Sequence, residues 1–577
     1  MTNPRKSLSL ALIGSGGAGV MTAGQVLLDA AARCGLYGLM TRSTGPQIRG
    51  GEAAAILRLA THPVACQADT LDLLVALDFN QAERFASELI LGEDSTVILD
   101  SAAGEPPAWI ATSGARLVEV ALAEMARSER GVRVNTIAIG LVSDLLGLPR
   151  QETRRVLAGL FEAKGSRLVE AAGKGLDLGQ AAAEGLALEG LMLDSASTGK
   201  RWLVTGNEAT GYGALAGGVR FCAAYPITPS TEIQEWLAGA LPPVGGTLVQ
   251  AEDELASINM CIGASFGGVP AMTATSGPGL SLMVEALGLA TAAEIPLLVA
   301  NVMRGGPSTG IPTKSEQSDL NLALHGAHGD APRLVIAPTD LSDCAPAAHW
   351  AVSLAEQLQC PAILLTDQFL GQARGIIDSP KLPTAAAERR RAGEQRTNYQ
   401  RFAASADGIA EMAIPGTAGG GYTATGLSHS ASGRPSTLAA DHMAQLARRQ
   451  HKLDAFDYGP RWADMEGEGT IALVCFGSVT GACREAMTRL ADAGQPVRLV
   501  ALRLLSPLRA EALNAALNGI DQALVIEQNH SGQLLHYLKS RVDNPARLHG
   551  LSRPGPLNFR PGEIAEAVIN LKQEQAA

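Results

Sequence analysis

Short apolar runs, glycine turns and amphipathic stretches alternate along most of the chain. Residues 8–13 (LSLALI) form an apolar run that ends at Gly14-Ser15-Gly16-Gly17-Ala18-Gly19 and continues as a helix over about 20–33. LDLLVALD (71–78) and STVILD (95–100) read as further strands. Helices are expected around 118–126 and 151–163, with a helix and connector across 165–200. A second unit opens near Trp202 with an Ala/Gly-rich helix, the turn YPITPST (225–231) and an amphipathic helix. It continues through EDELASINMCIGAS (252–265), TATSGPG (273–279), the apolar PLLVANVM (296–303), the loop RGGPSTGIPT (304–313) and the strand PAILLTDQ (361–368). The same rhythm returns after Gly469 in IALVCFGSVTGACREAM, PVRLVALRLLSP and QALVIEQNHSGQL. Strand, turn and helix in this order predict α/β domains of the doubly wound kind, whose ligands sit at the carboxyl ends of the strands.

Two stretches break the rhythm. KLPTAAAERRRAGEQRTNYQRF (381–402) is charged and proline-flanked, and reads as a surface connector. The following segment, to about 436, is rich in Gly, Ser and Thr without periodicity; composition suggests a flexible loop. The expected layout is a first domain over 1–195, a second over 200–385, a connector or excursion over 386–465, and a third domain over 466–577.

Composition narrows the class. The 577 residues exceed what one core supports. Hydrophobic residues make up 46% and aromatics only 4%, so the cores are aliphatic. With 57 acidic against 46 basic residues the formal charge is −11, which disfavours nucleic acid as a partner. No stretch has the apolar length of a membrane span and the first strand is a poor signal peptide, so a cytoplasmic location is expected. The eight cysteines are dispersed with no C-x-x-C pair, which reads as buried thiols in a reducing compartment and not as a cluster-binding set.

The first glycine loop meets the G-x-G-x-x-G spacing. A dinucleotide site, a general phosphate cradle and a merely tight strand–helix turn all remain open, although no acid lies between Asp29 and Glu52 to hold a ribose. In the central unit, three loops carry polar groups at expected strand ends: Thr228 with Ser230, Glu254, and Arg304. Each has a structural alternative: a helix cap for Thr228, a solvated acid at a helix N-terminus for Glu254, an ordinary ion pair for Arg304. Glu527, Asn529 and His530 also sit at an expected strand end, where a loop hydrogen-bonding role competes with catalysis.

Four motifs, YPITPST, EDELASINMCIGAS, TATSGPG and NVMRGGPSTGIPTKSEQSDL, occur in the order and spacing that resemble the pyrimidine-binding domain of 2-oxoacid:ferredoxin oxidoreductases. The resemblance is strongest to the α subunit of the 2-oxoglutarate type with the γ domain fused at its N-terminus, and it covers nearly the whole chain. It implies three α/β domains: an N-terminal γ-type domain, a thiamine-diphosphate-binding doubly wound domain of the pyrimidine type, and a domain like the transketolase C-terminal one. It also implies an ordered excursion over 386–465.

The resemblance implies roles for particular residues. Glu254 would serve the aminopyrimidine of thiamine diphosphate, with Tyr225 and Pro226 beside the cofactor. Arg304 and Thr228 would act on the substrate, and Ser230, Ser308, Thr309 and Lys314 would help to bind it, the last three reaching a distal carboxylate. Gly16, Gly17 and Arg49 would be coenzyme A contacts, with a salt bridge or domain contact as the other reading of Arg49. The sequence lacks the G-D-G…N magnesium and diphosphate signature, since Gly329-Asp330 and Asp407-Gly408 are not followed by the rest. Magnesium and a [4Fe–4S] cluster are therefore expected in a β subunit that completes the thiamine diphosphate site, in an (αβ)2 assembly passing electrons to a ferredoxin-type carrier. The expected activity is coenzyme A-dependent oxidative decarboxylation of 2-oxoglutarate to succinyl-CoA. Pyruvate, branched-chain or aryl 2-oxoacids are alternative substrates. A non-catalytic nucleotide-binding subunit and a dinucleotide-dependent oxidoreductase are the readings of another class.

Overall fold

The computed structural model describes residues 4–45, 51–186, 188–194, 199–394 and 397–576. Two compact units divide the chain. The first comprises 1–205 with 372–379 and 560–562, and the second comprises the remainder.

The first unit is built on an eight-stranded sheet. Its strands run in the order Arg116–Val120, Thr96–Asp100, Leu73–Ala76, Ser7–Ser15, Glu52–Ala60, Tyr37–Thr44, Arg374–Asp378, Arg201–Thr205. The first four are parallel, and the others join antiparallel. Two expectations change here. Residues 116–120 are a strand, with the helix starting only at Leu122. Residues 374–378, assigned from sequence to the second domain, pair with Tyr37–Thr44 and Arg201–Thr205. The strand after the first helix is one arm of an antiparallel hairpin, 37–44 with 52–60, and the second arm lies between it and strand 7–15, so the glycine loop opens a strand–helix–strand unit split by an inserted antiparallel strand. Helices Val134–Leu145 and Ser166–Leu186 approach closely because Gly140 and Gly179 face each other's backbone: a Cβ at either would strike the carbonyl of Leu176 or Ile137.

The second unit holds two sheets. The larger runs Leu504–Ser506, Leu334–Ile336, Pro361–Asp367, Leu297–Met303, Ala271–Thr275, Phe221–Ala224, Thr247–Gln250, parallel except for the first strand. Leu297–Met303 and Pro361–Asp367 are buried along their whole length, as strands covered on both faces must be. The smaller runs Ala463–Glu466, Arg498–Leu502, Ile471–Phe476, Gln522–Glu527, Leu548–Ser552. The apolar run 496–507 is thus not one strand: it crosses from the smaller sheet to the larger at Arg503. There the guanidinium binds Asp343 at 2.7 Å and Asp464 at 2.9 and 3.0 Å. Among the described residues no helix is long and apolar enough to cross a membrane.

The described residues of 386–465 are not a solvated connector. Arg389 is buried, with both Glu356 oxygens 2.7 Å away and the Ser265 carbonyl at 2.5 Å. Arg401 is fully buried and donates to the Glu294 carbonyl at 2.9 Å. Turns, the isolated bridges Arg391↔Met412 and His429↔Pro435, and the helix Ala439–Asp454 carry the segment along the core. The charges that suggest a surface stretch are used to anchor it. A paired, hydrogen-bonded guanidinium can be buried where an unpaired one could not.

Candidate functional site

The carboxyl ends of Ala271–Thr275 and Leu297–Met303 and the turn after Gln522–Glu527 open onto one cavity of about 790 Å³. Its floor includes Gly277 and Pro278, at the start of the 17-residue helix Gly277–Ala293, together with Arg304 and Asp319. Ser308, Thr309, Glu316, Ser318, Asn529, His530 and Ser531 also line it.

Arg304 follows the buried strand 297–303 directly, so the strand's rigidity fixes where the guanidinium emerges. The residue is 7% exposed; Nη1 donates to the Thr228 carbonyl at 2.5 Å, and Nε is buried without a partner. Burial lowers its pKa, opposed by the Asp319 carboxylate. Asp319 accepts a hydrogen bond from Asn301 Nδ2 at 2.9 Å. Its pKa is raised, chiefly by loss of water around the carboxyl and against the pull of Asn301 and Arg304. It lies over the helix start at Gly277, where a Cβ would come within 2.8 Å of either carboxylate oxygen. Glu316 is 8% exposed, and burial raises its pKa as well, countered by the Gly555 N–H, the Ser318 hydroxyl and His530 and reinforced by Asp319.

Glu254 stands at the first position of the helix Glu254–Phe266, whose Asp253 cap accepts from the Ala256 N–H at 2.7 Å. The residue is 6% exposed. Its carboxylate reaches the end of strand 271–275, where a Cβ on Gly279 would strike the Thr275 hydroxyl and lie 2.7 Å from Glu254 Oε1. Of the apolar residues that follow it, Ile258 and Ile262 are buried, but Leu255 and Met260 are exposed.

The other sequence candidates scatter around this centre. Ser308 and Thr309 are exposed residues of the lining. Thr228 meets Arg304 through its carbonyl, with the residue itself exposed. Ser230 is fully buried and its hydroxyl donates to the Ile227 carbonyl at 2.9 Å, which holds the turn instead of facing the cavity. Tyr225 is exposed, its carbonyl accepting from Gln234, and Pro226 is half-buried. Lys314 is absent from the cavity lining; its main chain closes the loop through bonds to Gly305 and Ile311. In the first unit the Gly16 N–H donates to the Gly51 carbonyl, while Ser15 gives its N–H and hydroxyl to Asp78. The loop is therefore tied as a strand–helix turn, Gly17 carrying a φ of 116°. Arg49 lies outside the described residues.

Sequence reasoning leaves out Asn301, Glu316 and Asp319. The two acids lie inside the TKSEQSDL stretch just after the arginine, and acids in a strand-end loop are the signal that marks them. Glu527, by contrast, is spent on structure: its oxygens accept the N–H groups of Leu534 and Leu535 at 2.7 and 2.9 Å at the start of helix Gln533–Lys539.

Three family models match in order. The pyruvate ferredoxin/flavodoxin oxidoreductase model covers 9–182. The thiamine-diphosphate-binding model of pyruvate flavodoxin/ferredoxin oxidoreductase covers 212–449, and core domain II of pyruvate:ferredoxin oxidoreductase covers 470–564. The α subunit of 2-oxoacid:ferredoxin oxidoreductase 2 from Aeropyrum pernix is 30% identical over 606 aligned residues, 93% of each chain. The chain belongs to the 2-oxoacid:ferredoxin oxidoreductase family. Within that family, 2-oxoglutarate synthase subunit KorA of Archaeoglobus fulgidus is 36% identical over 366 residues, 63% of this chain and 98% of its own. The solved 2-oxoglutarate:ferredoxin oxidoreductase from Magnetococcus marinus, with 2-oxoglutarate, coenzyme A and succinyl-CoA bound, superposes with a TM-score of 0.91 at 34% identity, covering 98% of this chain and 99% of that one. The chain is an α subunit of the 2-oxoglutarate synthase type, with the three α/β domains of the family.

Proposed function

We propose that this chain, with a β subunit, oxidatively decarboxylates 2-oxoglutarate and passes the acyl group to coenzyme A and the electrons to a ferredoxin-type carrier. The observation that carries the reading is the buried guanidinium of Arg304, with an unpartnered Nε, at the end of a fully buried strand within the thiamine-diphosphate-binding domain. A planar guanidinium with free donors suits the C1 carboxylate of a 2-oxoacid.

The residues fit thiamine diphosphate. Glu254 presents a buried carboxylate beside a glycine, Gly279, whose missing side chain clears the space around Oε1. Bound thiamine diphosphate supplies the carbon nucleophile and electron sink for decarboxylation. Glu254 would hold a proton at the aminopyrimidine ring nitrogen, Arg304 would orient the substrate carboxylate, and the Thr228 main chain would hold Arg304. Magnesium, the diphosphate grip and the [4Fe–4S] cluster belong to the partner in this reading, as the missing sequence signatures require, in an (αβ)2 complex. Gly16, Gly17 and Arg49 remain our candidates for coenzyme A contacts, although the Gly16 N–H is already committed to the Gly51 carbonyl.

Anoxic purification through a tag on this chain, followed by dye reduction with 2-oxoglutarate, tests the proposal. Reduction that needs both 2-oxoglutarate and coenzyme A, with a brown partner co-purifying, is expected. A colourless chain purifying alone would overturn it.

A further inference from the structure

Among the described residues lining the cavity, Arg304 is the one permanent cation, set against the carboxylates of Asp319 and Glu316. A substrate with two carboxylates therefore enters a cavity that offers one permanent cation and two acidic side chains. The one other lining group able to carry positive charge is His530, exposed at the turn after strand 522–527. It stands beside Glu316 because the two segments are bound together. The Gln317 N–H donates to the Gln528 carbonyl at 2.7 Å and the Gln528 N–H to Gln317 Oε1 at 2.9 Å. Asn529 Nδ2 reaches the Gln317 carbonyl at 3.2 Å, and Gln533 Nε2 the Ser318 carbonyl at 2.8 Å. Glu316 is held in place between Gly305 and Gly555, whose added Cβ atoms would lie 3.4 and 3.6 Å from its Oε2. The smaller sheet thus brings the imidazole of His530 to the cavity wall that also holds the carboxylates of Asp319 and Glu316. Lys314, expected from sequence to meet a distal carboxylate, is not part of that wall.

We propose that His530 and Glu316 together set the preference between dicarboxylate and monocarboxylate 2-oxoacids, His530 attracting the distal carboxylate and Glu316 opposing it. This rests on the proposed 2-oxoacid chemistry at Arg304. Loss of one charge from a partly exposed wall changes selectivity by about tenfold and not by orders of magnitude.

The assembled complex is assayed with 2-oxoglutarate and with 2-oxobutyrate, and the ratio of the two kcat/KM values is compared across variants. His530→Gln is expected to lower the ratio about tenfold, His530→Lys to restore it, and Glu316→Gln to raise it. A merely structural role for either residue would depress both substrates together and would not give opposite signs. A ratio unchanged within about twofold in both His530→Gln and Glu316→Gln, in complexes that still turn over, would overturn the inference. If the unmodified complex acts on neither substrate, the proposed function fails first and the inference falls with it.

Discussion

Two buried acidic regions of the second unit have opposite fates. Glu294, at the end of helix Gly277–Ala293, is 1% exposed and bound by Arg448 and by Lys452 at 2.9 Å, with the Arg401 guanidinium at its carbonyl. Burial alone would raise its pKa, yet Lys452, Arg448 and Arg401 pull it down to about 2. Asp319 and Glu316, at the other end of the same helix's neighbourhood, have fewer donors, and burial wins: both pKa values are raised. The comparison separates a carboxylate that holds the chain together among several cations from carboxylates that line a cavity with weaker compensation for their burial.

The contrast can be broken most strongly at Glu254. Glu254→Gln should lower turnover of the assembled complex roughly 1,000-fold while the melting temperature stays close to that of the unmodified protein, read by dye reduction and calorimetry. Glu294→Gln should do the reverse. Removing the carboxylate from among buried cations should cost about 3 kcal/mol in urea unfolding, with activity of the folded complex largely kept. The pH dependence has a definite sign. A carboxyl with a folded pKa of about 2 and an unfolded value near 4.5 stabilises above pH 4.5, and that contribution is lost as pH falls from about 4.5 to 2. Glu294→Gln should flatten this arm of an acid titration followed by circular dichroism. Arg304→Lys keeps the charge but loses the fork, and should raise KM for the 2-oxoacid about tenfold with little change in stability. The smallest effect is expected at Ser230, where alanine should cost about 1 kcal/mol through the lost bond to Ile227, and should leave KM unchanged if the hydroxyl serves only the turn.

Much of this is legible in the sequence. PLLVANVM is apolar but for Asn301 because its strand is covered on both faces, and Arg304 is the first charged residue after it, so its placement at a strand end follows from the pattern. TATSGPG likewise announced a strand running into a helix. The misreadings came from charge taken alone. The run 381–402 looked solvated because arginine usually is, but Arg389 and Arg401 find carboxylates and carbonyls more than 30 residues away, and no local rule foresees such partners. Ser230 and Lys314 sit in the right loops but turn away from the cavity or outside its lining, since loop membership does not fix side-chain direction.

The sequence by itself determined the alternation of strands and helices, the order of the motifs and the small set of loops in which chemistry could lie, because periodicity and turn residues act over a few positions. Only the tertiary structure decided that Arg304, Asp319, Glu316 and His530 share one cavity, that strand 374–378 joins the first sheet, and that Glu294 is neutralised from the excursion. Those pairings join residues far apart in the chain. Their energies depend on burial and on distance in space, quantities that no local stretch of sequence carries.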